Sequence, residues 1–118
     1  MKYMLLIYYP NTSQEPDYKS EQFQAAQQAW AKVLEDMKSS GVWLSNHGLA
    51  PVSDATTVRV RDGKTVTADG PYAETHEQLG GLYLLDCKDL DEAIGWAAKV
   101  PGAQYGSIEV RPLNKWSQ

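Results

Sequence analysis

Two short runs of this 118-residue chain are apolar at nearly every position, and they constrain the fold more than any other feature. The first is Tyr3-Met4-Leu5-Leu6-Ile7-Tyr8-Tyr9 and the second runs from Gly81 to Cys87. Successive side chains of a strand point to opposite faces, so such a run must be covered on both sides. Both runs are therefore expected at the centre of a sheet. Everything else in the chain has to be arranged around them.

Two helical patterns lie between and beyond these runs. Ser20 suits an N-cap with Glu21 in the first turn, and Phe23, Ala26, Trp30, Val33, Leu34 and Met37 recur at three- and four-residue spacing up to Gly41. Asp89 with Glu92 three residues on predicts a capping-box start for a second helix over Leu90 to Lys99. Its expected buried stripe is Leu90, Ala93, Ile94 and Ala97, and Pro101-Gly102 stops it. Pro10 to Lys19 reads as a loop, Val42 to Leu49 as a second strand, and Ile108 and Val110 alternate in a last strand closed by Pro112.

Thr56 to Arg61 and Thr65 to Ala68 predict a hairpin about Asp62-Gly63. A three-residue loop, Asp62-Gly63-Lys64, would keep Val58 and Val60 on one face with Val66 and Ala68, and is expected on that ground. The order is then βαβ, hairpin, βαβ in a single domain spanning residues 1–118. That order predicts an α+β fold, a ferredoxin-like split βαβ sandwich with an inserted β-hairpin. Two helices cover one face of such a sheet. The second apolar face of both central strands needs another copy, so an obligate homodimer is expected.

Directly before the second central run stands D-G-P-Y-A-E-T-H-E-Q-L-G-G, residues Asp69 to Gly81. Asp69-Gly70-Pro71 cannot continue a strand or a helix, because proline removes a donor and restricts the residue before it. This stretch resembles the signature of the DGPF-domain branch of the YCII-related family, D-G-P-F-x-E-T-K-E-x-x-G-G. Tyr72 stands here for the usual Phe and His76 for the usual Lys. The resemblance continues through Thr56 to Gly63 and Gly106 to Pro112, covering nearly the whole chain. It implies a single DGPF-type domain and a dimeric α/β barrel, two sheets packed face to face. Members of the wider family that look like enzymes resemble small-molecule lyases or dehydrochlorinases with a His–Asp pair whose histidine lies on the first helix. No histidine occurs between Ser20 and Ser40, so that role does not transfer. DGPF-type proteins are also often named as transcription-initiation-related, through association with sigma factors, which implies a regulatory protein partner.

The catalytic candidates are His76, Asp69, Glu77 and His47. Carboxylates beside a histidine raise its pKa and orient its ring, which suits acid–base work near neutral pH. His47 would join Asp69 as a dyad if the second strand ended near that turn. The ligand-binding candidates are Gly70, Pro71, Tyr72, Glu74, Gly80 and Gly81. Each also has a structural reading: Asp69 capping its own turn, Glu74 and Glu77 solvating a loop, His47 a satisfied strand residue. Four tryptophans and seven tyrosines supply material for an aromatic pocket, though Trp30 lies on a core stripe.

A net charge of −4 speaks against nucleic-acid binding, Arg59, Arg61 and Lys64 being read as a solvated hairpin surface. One cysteine, Cys87, allows no intrachain disulfide, and no spacing matches a metal motif, so neither metal nor cofactor is expected. The N-terminal run is too short to span a membrane and lacks a cleavage site, so no membrane association and a cytoplasmic location are expected. Two functional readings follow. One is a dimer binding a small polar or aromatic molecule near Asp69 to Glu77, with acid–base chemistry such as elimination or isomerisation. The other is a non-catalytic regulatory module.

Overall fold

The computed structural model describes residues 1–10 and 19–118, so most of the loop expected after Pro10 lies outside the described residues. The elements run β1 (Lys2–Pro10), α1 (Glu21–Ser39), β2 (Trp43–Gly48), β3 (Thr56–Arg61), β4 (Lys64–Asp69), β5 (Glu77–Asp86), α2 (Leu90–Lys99) and β6 (Ser107–Pro112). Four strands form one sheet in the order β2-β5-β1-β6. Every pairing in it is antiparallel. This is the split βαβ arrangement, α+β and ferredoxin-like, with both doubly apolar runs at its centre. Among the described residues strands β3 and β4 pair only with each other. Among the described residues no helix is long and apolar enough to cross a membrane.

The helices start where their caps dictate. The Ser20 hydroxyl accepts the Phe23 N–H at 3.1 Å, and an Asp89 carboxylate oxygen accepts the Glu92 N–H at 2.9 Å. Glu92 reaches back one residue beyond the usual capping box, accepting the Lys88 N–H at 3.0 Å. The core lies between the helices and one sheet face. Tyr3 and Leu5 of β1 and Tyr83 and Leu85 of β5 meet Val33 and Met37 of α1 and Ala93 and Ala97 of α2. Full burial of a Leu5 or Leu85 is worth about 1.5–3 kcal/mol.

Two packing expectations need correction. On α2 the buried residues are Ala93 and Ala97, with half-buried Trp96 against the core, whereas Leu90 and Ile94 are 48% and 49% exposed. Two alanines let the helix lie close to the sheet, and this contact is rotated from the expected stripe. On α1, Ala26 is exposed, so the stripe holds only from Trp30 to Met37.

The hairpin differs too. Arg61 pairs directly with Lys64, so the loop is Asp62-Gly63 alone, with φ of 53° and 74°. Two residues at positive φ make a type I′ turn, whose twist suits an antiparallel hairpin. Val58 and Val60 consequently face Thr67 and Thr65 rather than Val66 and Ala68. Both faces of this hairpin are exposed, Val58 at 59% and Val60 at 60%, so no core imposed a hydrophobic register and turn chemistry decided.

Opposite the helices, the sheet presents Met4, Leu6 and Tyr8 of β1 and Leu79, Leu82 and Leu84 of β5, all half-buried. Among the described residues both helices pack on the other face, and no strand or helix is packed over the centre of this one.

Candidate functional site

A recess opens between α1 and the end of the sheet where β1 finishes and β5 begins, a cleft of about 730 Å³. Four aromatic side chains line it, Tyr9 from β1, Trp30 from α1, Tyr83 from β5 and Tyr105 from the segment before β6, with Ile7, Leu34 and Leu82. Its volume lies within the range of small-molecule sites, about 300–1,000 Å³. Gly80 and Gly81, expected as ligand contacts, line it. A bulge explains why glycine stands there. The β1–β5 register passes from Ile7↔Gly81 to Tyr8↔Leu79, leaving Gly80 as the extra residue. The Tyr9 ring lies directly over Gly80, where any Cβ would collide with it, and a Cβ on Gly81 would come 2.9 Å from the His47 carbonyl oxygen.

A second bulge, in β2, shapes the polar edge of the cleft. Register with β5 shifts between Trp43 and Ser45, so Trp43 lies across from Leu85 and Asn46 across from Tyr83, both on the helix face. Three residues apart in a regular strand they would lie on opposite faces. Here the Trp43 indole N–H donates to Asn46 Oδ1 at 2.8 Å. The Lys38 ammonium sits 4.6 Å from the centre of the Trp43 ring, closing that side with a cation–π contact. Burial raises the Tyr83 phenol above its ordinary value, so it keeps its proton throughout the neutral range.

His47 reaches the cleft rim but stands across from Leu82, on the face away from the helices. Asp69 ends β4 across from Thr56. Among the described residues the two share no hydrogen bond or ion pair, and the expected dyad is not assembled. Gly70, at φ of 93°, closes the base of the hairpin. Its N–H donates to Ala55 O at 2.6 Å and its carbonyl accepts from the Thr57 hydroxyl at 2.8 Å.

The remaining motif residues line two other recesses. Pro71, Glu74 and His76 border a polar one of about 550 Å³ with Ser53 and Gln78. Pro71, Tyr72 and Glu77 border another of about 500 Å³ with Tyr8 and Leu79. Glu77 accepts a hydrogen bond from the Ser107 hydroxyl at 3.2 Å, tying the start of β5 to β6. The Thr75 hydroxyl donates to the Glu77 carbonyl. Among the described residues no group of three or more His, Cys, Asp and Glu side chains gathers where a metal could be held.

The YCII-related domain family matches this chain over residues 1–117. The chain belongs to the YCII-related family. An uncharacterised protein of Rhizobium meliloti (strain 1021) is 51% identical to it over 67 residues, 55% of this chain and 54% of that protein. The match thus spans about half the length of that curated relative. In this YCII-related domain the motif divides: its double glycine lines the aromatic cleft, while Glu74 and His76 border a second recess and Glu77 a third. The residues missed from the sequence are Asn46, Tyr9, Tyr83 and Tyr105. Alternation along the strands was legible for Tyr9, Asn46 and Tyr83, but the bulges beside Gly80 and between Trp43 and Ser45 were not.

Proposed function

We propose that this YCII-related domain works as a homodimer, a dimeric α/β barrel, and that each subunit binds one small planar molecule in the cleft between α1 and the sheet. The aromatic cleft itself carries this reading. Tyr9, Trp30, Tyr83 and Tyr105 offer aromatic surfaces, and the missing Cβ at Gly80 lets the Tyr9 ring lie against the backbone at the cleft wall. Support for the dimer is the half-buried apolar sheet face opposite the helices, which a second sheet would cover. His76 and Glu74, which border one recess, are the acid–base pair of this reading, and the dimer has to bring that recess to the cleft.

Native mass spectrometry of the purified protein, followed by denaturing analysis of anything released, tests both parts. A mass of twice the chain with a small aromatic adduct is the expected outcome. A monomer would remove the barrel. A clean dimer that also takes up no aromatic probe would remove the ligand site and favour the second reading, a non-catalytic regulatory module docking another protein. The exposed hairpin, with Val58 and Val60 on one face and Arg59, Arg61 and Lys64 on the other, supports that second reading.

A further inference from the structure

We propose that Asn46 is the specificity-determining residue of the cleft, and that it selects neutral planar ligands bearing a hydrogen-bond acceptor such as a ketone or amide carbonyl. This rests on the cleft being a ligand site and names the class of ligand it takes.

An indole N–H can only donate, so the atom of Asn46 that faces Trp43 must be its oxygen. The amide NH₂ is thereby turned away from Trp43. Asn46 lines the cleft and Trp43 does not, so the end turned away from the indole is the end that meets a ligand. Among the described residues that NH₂ has no hydrogen-bond partner. Two donors at the edge of an apolar cleft need an acceptor, and a ligand without one leaves them unpaired when it excludes water. Tyr83, across the ladder from Asn46, adds a phenol that can also donate. Neither Lys nor Arg lines this cleft among the described residues, and His47 at its rim belongs to the opposite sheet face, so a carboxylate would enter without a permanent counter-charge. A neutral carbonyl suits the cleft better.

The orientation depends on a bulge. Without the shift between Trp43 and Ser45, the indole and the amide would lie on opposite faces of β2, and the amide would be free to turn. Lys38 stacked on the indole steadies the same arrangement.

The test is equilibrium dialysis of the full chain against three probes of one shape: 2-acetylnaphthalene, 2-ethylnaphthalene and 2-naphthoate. The wild type is expected to bind 2-acetylnaphthalene roughly five- to tenfold more tightly than 2-ethylnaphthalene, and 2-naphthoate most weakly. Asn46→Asp, nearly isosteric and still able to accept the indole N–H, should erase the preference for the ketone while retaining 2-ethylnaphthalene. Trp43→Phe leaves Asn46 in place but frees the amide to turn, and should reduce the preference as well. Binding of none of the three probes would overturn the cleft as a ligand site. Equal binding of ketone and hydrocarbon, or a preference unchanged in Asn46→Asp, would overturn the role of Asn46 alone. Tightest binding of the naphthoate would overturn the neutral class.

Discussion

Cys87 ends the second central run and is 1% exposed, packed in the core beneath the start of α2. Burial, reinforced by the neighbouring Glu92 carboxylate, pushes its thiol from an ordinary value of 9.0 up to about 11. A thiol that keeps its proton when folded but loses it when unfolded makes stability depend on pH. The contribution is complete below the unfolded value, declines as pH rises, and is gone above the folded one. Urea midpoints should therefore fall between about pH 9 and about pH 11. Cys87→Ala should flatten part of that fall, leaving the share due to Tyr83, which shifts the same way. An identical slope in the variant would show that the thiol is not held in its protonated form. The same burial predicts slow alkylation of Cys87 in the native protein at about pH 8.

Among the elements, the hairpin and α2 show where local and tertiary forces part company. Asp62-Gly63 specifies its two-residue turn through conformations that few side chains tolerate, and no core contact competes with it. Gly63→Ala forces a Cβ into the left-handed region at φ of 74°, a cost of about 1 kcal/mol. Amides of β3 and β4 should then exchange roughly fivefold faster with solvent, while those of β1 and β5 keep their protection. A parallel loss of protection in the central strands would instead show that the hairpin is part of the cooperative core. On α2 the opposite holds. Asp89 sets where the helix starts, but contact with the sheet selects Ala93, Ala97 and Trp96 over Leu90 and Ile94.

The whole molecule is flat, 48 × 43 × 19 Å, with a radius of gyration of 16.5 Å. A compact chain of this length would have a radius of about 13.5 Å. One covered sheet face, one uncovered apolar face and a hairpin paired only with itself account for the difference. A two-stranded hairpin alone is marginally stable in water, so β3 and β4 gain from a surface to rest on. In the proposed dimer, Leu6→Asp places a charge in the middle of the joined sheets, directly across the ladder from Leu82. Light scattering at micromolar concentration should show a dimer for the wild type. The variant should dissociate, with a dissociation constant raised roughly a hundredfold or more. Leu84→Lys, on the same face, should act alike. Variants that remain dimeric would place the interface elsewhere on the chain.

The α+β order, the two central strands, both helix starts and the position of the hairpin were already written in the local pattern of residues. Those depend on periodicity, caps and turn residues, which act within a few positions of the chain. The family motif was equally plain from Asp69 to Gly81. What only the tertiary structure decided was register. The loop closed one residue shorter than alternation required, because an exposed hairpin has no buried face to protect. His47 and Asp69, each sensible as an acid–base group, were set on separate strands in different sheets, with no hydrogen bond between them. Bulges at Gly80 and between Trp43 and Ser45 turned Tyr9, Asn46 and Tyr83 towards a single cleft. A bulge is a property of two paired strands rather than of either one, and its effect on the site appears only once the ladder has formed.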